Sequence, residues 1–135
     1  LVRDEVICVT RAGLDPPEDI GRFIELDHIE VIDSAAAAGS IDAALMGLGR
    51  KRIIRHSVPQ LSAALAIARR TDAIVCAPRR MVDALVHPED RDLQITTSPV
   101  ELPRRQVGIT HHMRATDDAA TSWLREQLQK VARTL

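Results

Sequence analysis

The chain has 135 residues, a length that suits one domain or a large part of one. Its apolar fraction of 45% supports a packed core, and its net charge of −1 gives it no overall attraction for nucleic acid or an anionic membrane. Phe23 and Trp123 are the only aromatic residues, so Ala, Leu, Ile and Val must fill that core.

In the first part of the chain, short β-rich runs alternate with helical patterns, which predicts a parallel sheet covered by helices. A strand over Glu5–Arg11 is followed by a helix that starts at Pro17–Asp19. A second strand over His28–Asp33 is followed by a loop, SAAAAGS at Ser34–Ser40, and then by a helix over Ile41–Leu48.

The middle of the chain repeats this order. A strand over Ile53–Ser57 precedes a helix over Val58–Arg70, and Ser57 with Gln60 three residues later has the spacing of a capping box. The predicted inward stripe of this helix is Leu61, Leu65 and Ala68. Ala73–Ala77 is continuously apolar, as a buried parallel strand should be.

The last third predicts a short helix, two strands and an amphipathic helix. The short helix covers Arg79–Val86, and the strands cover Leu93–Thr97 and Gln106–His111. The final helix starts at about Thr116, after which Asp117 and Asp118 suit the helix dipole. Its predicted inward residues are Trp123, Leu124, Leu128, Val131 and Leu135.

The two cysteines, Cys8 and Cys76, each lie within an apolar run and not in a CxxC spacing. This pattern favours buried thiols in a reducing cytoplasm over a disulfide scaffold or a zinc site. No apolar run approaches the roughly 18 residues of a membrane span, and no signal peptide precedes the first strand. We therefore expect a cytoplasmic protein without membrane contact. Because the chain begins with Leu1, we interpret it as the later part of a longer protein.

Catalytic motifs are missing from the sequence: there is no GxSxG, no Walker loop, no GxGxxG and no HExxH. His111 and His112 are adjacent, so in a strand they would point to opposite faces and would not share a metal. One of them is expected to be buried and the other to lie at a surface or cleft. The acidic run Glu89–Asp92 is typical of a solvated turn. The sequence thus predicts neither an enzyme nor a cofactor or metal site.

Polar groups at two helix starts suggest a ligand site. Both Ser34–Ser40 and Ser57–Gln60 follow a strand and precede a helix. In open α/β sheets, ligands bind at the carboxyl ends of the strands, where helix N-termini favour anions. The alternative is that these residues only cap their helices.

Three segments resemble the effector domains of LysR-type transcription regulators. They are VPQLSAALAIARRTDAIVCAPRRMV (Val58–Val82), DLQITTSPVELPRRQVGITHH (Asp92–His112) and HHMRATDDAATSWLREQL (His111–Leu128). In the first segment, the positions shared with the family are Val58, Pro59, Thr71, Asp72, Ile74, Pro78 and Arg80. The segments occur in the family's order and are most similar to the branch of nodulation and naphthalene/salicylate regulators.

The resemblance implies a type-2 periplasmic-binding-protein-like fold, with one complete α/β subdomain and part of a second. Residues 8–104 would form the second subdomain, and residues 1–7 and 105–135 would belong to the first. It also implies a small-molecule effector in the cleft between the subdomains and a homodimer or homotetramer. The protein would reach DNA only through a winged helix-turn-helix domain that precedes Leu1.

By the same resemblance, Gln60 occupies a position where relatives contact their effector. Ser57 beside it, Ser34 and Ser40 at the ends of their loop, and the segment His111, His112 and Met113 would border the same cleft. The sequence departs from the family at His111, where Trp is usual, and at Met113, where Pro is usual. The cleft also lacks the Phe and Tyr that stack on an aromatic effector in relatives, so an aromatic effector is not expected unless another part of the protein supplies those groups. The expected recognition group is a carboxylate, because the helix N-termini favour an anion.

Two other functions fit the same fold. One is a free-standing solute-binding protein, against which the unpaired cysteines and the regulator-like segments count. The other is an enzyme, for which the sequence offers no catalytic constellation.

Overall fold

The computed structural model describes residues 2–32, 35–102 and 104–134. These residues form two compact units, one of residues 5–102 and one of residues 2–4 with 104–134. Several sequence predictions fall on residues outside those ranges: the end of the second strand at Asp33, the proposed contact of Ser34, and the inward position of Leu135.

The larger unit contains a five-stranded sheet with helices on both faces. Its elements are β2 (Val6–Arg11), α1 (Ile20–Glu25), β3 (Asp27–Val31), α2 (Ala35–Gly47), β4 (Ile53–Val58), α3 (Leu61–Ala68), β5 (Ile74–Pro78), α4 (Arg79–Asp83) and β6 (Leu93–Thr97). The strand order is β4-β3-β5-β2-β6. The smaller unit adds the strand β1 (Val2–Asp4), which precedes β2 in the chain.

The sheet is mixed, so the prediction of a parallel sheet is wrong for one strand, β2, which runs opposite to the other four. β3 is parallel to β4 and β5, whereas β2 pairs antiparallel with both β5 and β6. Alternating β and α segments predict crossovers between parallel neighbours, but β2 is joined to no neighbouring strand by such a crossover. Its partner strands, β5 and β6, come much later in the chain, so no nearby residues indicate the direction of β2.

Two apolar clusters cover the two faces of this sheet. On one face, Phe23 of α1 and Ile41 and Leu45 of α2 pack over Cys8 and Cys76. On the other face, α3 packs its stripe over β2, β3 and β5, and the predicted inward residues Leu61, Leu65 and Ala68 are all buried. All five residues of β5 are buried, as its unbroken hydrophobicity predicts.

The segment predicted as a loop at Ser34–Ser40 is helical from Ala35 onward. Alanine has the highest helix propensity, so a run of four alanines extends α2 toward the preceding strand. The helix ends before Gly49, whose φ of +66° suits the left-handed position that terminates a helix.

The capping box predicted at Ser57 is absent. β4 continues through Ser57 to Val58 because these residues pair with Glu30 and Val31 of β3. The N-cap of α3 is instead Gln60, whose side chain makes no capping hydrogen bond. Because Ser57 is held in the strand pair, the N-cap of the helix lies three residues later than the capping-box pattern predicts.

The smaller unit contains a two-stranded antiparallel sheet of β1 and β7 (Arg105–Val107), a 3-10 turn at Met113–Ala115, and helix α5 (Ala119–Ala132). The strand predicted over Gln106–His111 ends at Val107. The helix begins after Asp118, which accepts a hydrogen bond from the Thr121 backbone N–H at 2.7 Å.

The predicted inward stripe of α5 is largely exposed within its unit. Trp123, Leu124, Leu128 and Val131 are between 42% and 61% exposed. His111 and His112 are also both exposed, so the expectation that one of them is buried is wrong. The apolar repeat in the sequence predicted the helix correctly. It did not predict whether the helix packs against another element of its unit.

Candidate functional site

The carboxyl ends of three parallel strands meet at one edge of the larger unit. β3 ends at Val31, β4 at Val58 and β5 at Pro78, and each strand leads into a helix. The N-terminal turns of α2, α3 and α4 therefore follow strands at the same edge of the sheet. Backbone N–H groups in a first helical turn lack intrahelical acceptors, so this edge favours an anionic group.

Gln60 is the predicted contact that lies most directly at this edge. It is exposed and extended, with φ of −131° and ψ of 139°, and it immediately precedes α3. Its carbonyl accepts the first helical hydrogen bond, from the Ala64 N–H at 3.2 Å. Its amide side chain makes no capping hydrogen bond, which leaves it free to bond another group.

The three serines named from the sequence have different positions. Ser57 is exposed and is the second-last residue of β4, three residues before Gln60. The two residues therefore belong to one short segment. Ser40 lies inside α2, six residues into the helix, and is half-buried. Ser34 lies outside the described residues.

The other predicted contacts, His111, His112 and Met113, belong to the smaller unit. The His112 ring accepts a hydrogen bond from the Arg114 N–H at 3.1 Å and so caps the 3-10 turn. The His111 Nε2 lies 3.2 Å from the Arg125 guanidinium. Met113 is 87% exposed. These contacts give the segment local order independent of any ligand.

Arg52 forms an ion-pair cluster that the sequence analysis did not identify. Its side chain is only 3% exposed and lies 2.6 Å from Asp42 of α2 and 3.6 Å from Glu30 of β3. The hydrogen bond from Arg52 lowers the pKa of Asp42 below its usual range. The cluster joins α2 to the strand beside it and so helps to position the helix at the candidate site.

Arg79 makes a second contact that sequence reasoning missed. Its backbone N–H donates to the Glu5 carbonyl at 2.9 Å, and its guanidinium pairs with the Glu5 carboxylate. The two residues are 74 positions apart, so no local spacing reveals the contact. It holds the start of α4 against the residue that precedes β2.

A cavity of about 520 Å³ opens at the opposite edge of the larger unit. Charged side chains around it pair with each other: Arg55 bonds Asp27 at 3.1 Å, and Arg22 lies 3.6 Å from Glu25. The cavity is near the amino ends of the parallel strands, where helix N-termini do not point. Gln60 and Ser57 do not line it.

Within the ranges that the structure describes, no group of three His, Cys, Asp or Glu side chains has the arrangement of a metal site. In the same ranges, no helix is long and apolar enough to cross a membrane.

The LysR substrate binding domain model matches residues 1–133 of the chain. The chain is also 29% identical over 131 residues to the HTH-type transcriptional activator NagR of a Ralstonia species. That match covers 93% of the chain and 42% of NagR, so the chain spans less than half the length of this relative.

Solved structures show the same fold. The regulatory domain of MexT, a transcriptional activator in Pseudomonas aeruginosa, matches with a TM-score of 0.77 and 24% identity over 94% of the chain and 63% of that domain's chain. The effector binding domain of QuiR, in complex with shikimate, matches with a TM-score of 0.58 and 15% identity over 78% of the chain and 49% of its own. The α/β fold is therefore of the periplasmic-binding-protein-like kind.

Proposed function

The chain belongs to the LysR substrate-binding family, and from this premise we propose that it is the effector-sensing part of a transcription regulator. The effector is a small molecule with a carboxylate, and it binds in a cleft between the two subdomains. The second subdomain corresponds to the larger unit and the first to the smaller unit. The boundaries expected from the family resemblance, 8–104 against 1–7 and 105–135, differ from those of the compact units by at most three residues. The regulator contacts DNA through a separate domain and acts in the cytoplasm.

The observation that carries this proposal is the start of α3. Gln60 is exposed there with an amide that makes no capping bond, beside the free N–H groups of the first helical turn. An amide donor and a helix N-terminus together suit a carboxylate. The shikimate complex of QuiR gives further support, because shikimate is itself a small carboxylic acid.

The remaining contacts in this proposal are secondary. Ser57 adds a hydroxyl next to Gln60, and Ser34 precedes α2. Ser40 would have to act through its side chain, since it lies inside α2. His111, His112 and Met113 approach the effector from the first subdomain. The effector acts by binding one arrangement of the subdomains better than another, which shifts their populations.

A thermal-shift screen tests the ligand class. We expect some small carboxylic acids to raise the melting temperature, while the corresponding primary amides have little effect. If amides and acids stabilise the chain equally, the carboxylate proposal is wrong. If no small molecule stabilises it, the sensing role itself is in doubt.

A mutation tests the role of Gln60. For an acid found in that screen, Gln60→Ala should weaken binding by roughly 3- to 10-fold, the value of one hydrogen bond. Gln129→Ala, at an exposed glutamine of α5, is the matched control and should leave the affinity unchanged. Equal affinities for the wild type and Gln60→Ala would remove Gln60 from the site.

We also propose that the protein is a homodimer or homotetramer that uses the α3–β4 side of the larger unit. β4 is an edge strand, and its residues Ile53–Ser57 are all exposed. Ile53 and Ile54 are 57% and 40% exposed, which is unusual for paired apolar residues in a sheet. Ile54→Lys should shift the protein toward the monomer in sedimentation velocity, whereas Met46→Lys on α2 should not.

A further inference from the structure

Cys8 and Cys76 face each other at the centre of the sheet. Each is the registered partner of the other on the antiparallel strands β2 and β5. Their Sγ atoms are 3.8 Å apart, and the residues are 0% and 9% exposed. Both are free thiols. Their sequence separation of 68 residues explains why the sequence showed two unrelated cysteines.

The backbone around this pair is already suited to a disulfide. Directly opposed residues in an antiparallel pair have Cα atoms about 4.5–5.5 Å apart. Disulfides usually span about 4.4–6.8 Å between Cα atoms. The two sulfurs need to move from 3.8 Å to about 2.05 Å, which rotation of the two side chains supplies.

A buried histidine borders the same apolar cluster as the two cysteines, since its ring contacts Phe23. His28 is fully buried, and its Nε2 lies 2.9 Å from the Phe23 carbonyl oxygen, which only accepts hydrogen bonds. Nε2 therefore donates this bond, and Nδ1 has no hydrogen-bond partner among the described residues.

We propose that Cys8 and Cys76 form an oxidative modification site, at which a small peroxide produces an intramolecular disulfide. The Cys76 sulfur attacks one oxygen of the peroxide. The O–O bond breaks, the departing oxygen takes the thiol proton of Cys76 and leaves as water, and Cys76 becomes a sulfenic acid. Cys8 sulfur then attacks the Cys76 sulfur, releasing a second water. Two thiols are oxidised, and one hydrogen peroxide is reduced to two waters.

The surroundings of the pair make this reaction slow and selective. The contact with Cys8 and the burial of Cys76 raise the pKa of the Cys76 thiol, so little thiolate is present. A large oxidant cannot reach residues this buried without opening of the apolar cluster. The disulfide ties β2 to β5 and constrains the long segment between them, which stabilises the fold.

Intact-mass spectrometry of the chain, before and after incubation with hydrogen peroxide, tests the proposal. We expect a product lighter by two hydrogen atoms that no longer reacts with an alkylating reagent after denaturation. Peptide mapping should join the peptide of Cys8 to that of Cys76. Dithiothreitol should restore both thiols, and the oxidised form should melt several degrees higher than the reduced form.

Cys8→Ala and Cys76→Ala are the matched variants, and neither should form the lighter product. The measurement on the wild type decides the question even if a variant folds poorly. Two intact thiols after oxidation would overturn the proposal, as would sulfinic acid without a crosslink or a disulfide between two molecules. None of these outcomes depends on the effector, so they leave the sensing role untouched.

Discussion

The Arg52 guanidinium binds the Asp42 carboxylate through two hydrogen bonds, from Nε at 2.6 Å and from Nη2 at 3.0 Å. Removing the charge of Asp42 leaves a nearly buried cation that has Glu30 as its remaining acidic partner among the described residues. Because the Asp42 side chain is 46% exposed, solvent screening limits the loss. Asp42→Asn should lower the free energy of unfolding by about 1 kcal/mol in urea denaturation. Asp15→Asn, at an exposed carboxylate, should change it little; equal effects would contradict the role of the ion pair.

The same carboxylate predicts a pH dependence. Arg52 lowers the pKa of Asp42 from its ordinary value of 3.8, so ionised Asp42 favours the folded state. Its contribution is complete above pH 3.8 and is lost as the pH falls through the lower folded pKa. The stability difference between the wild type and Asp42→Asn should therefore be constant near neutral pH and shrink below pH 3.8. Urea midpoints measured between pH 7 and about pH 2.5 would show this. A difference that grows in acid would mean that the sign is wrong.

The start of α1 depends on Asp19. Its carboxylate accepts a hydrogen bond from the Arg22 N–H at 2.8 Å, which satisfies a free donor in the first turn. Asp19→Ala should lower the free energy of unfolding by about 1 kcal/mol. Asp19→Asn should retain most of the stability, because its amide oxygen still accepts the bond. Similar losses for both variants would indicate that the charge, and not the cap, is what matters.

Phe23 is the only phenylalanine, and it is completely buried against His28, with ring centroids 4.7 Å apart. Phe23→Ala should lower the free energy of unfolding by about 3–5 kcal/mol, because it leaves a cavity under α1 and α2. Met46→Ala removes a side chain that is 74% exposed and is the control for a change of size at the surface. Chemical denaturation of both variants compares the free energy lost with a buried side chain with that lost with an exposed side chain on a helix. If Phe23→Ala cost no more than Met46→Ala, the cluster under these helices would not be packed as described.

Local patterns predicted which segments form helices and strands, and where polar residues follow the strands. The inward stripe of α3 is confirmed because a 3.6-residue repeat of apolar residues is itself the cause of its burial. The same repeat in α5 predicted the helix but not its packing, since Trp123 remains exposed in its unit.

What the sequence did not reveal depends on residues that are far apart in the chain. Ser57 carries a helix-start pattern, yet its pairing with Glu30 makes it part of β4. Arg52 and Glu30 meet only because β3 and β4 are neighbours. At the candidate site, Gln60 was identified by resemblance to the family, and its unused amide became known only from the structure.

The position of β2 in the middle of the sheet has a consequence for synthesis of the protein. Cys8 pairs with Cys76 on one side and Thr96 on the other, so β2 lacks these two partners until the ribosome has added β5 and then β6. At about 5–20 residues per second, the apolar strand waits roughly 4–18 seconds for β6. Until β5 and β6 are made, β2 lacks both of its sheet partners, and a chaperone that shields it should raise the yield of folded protein.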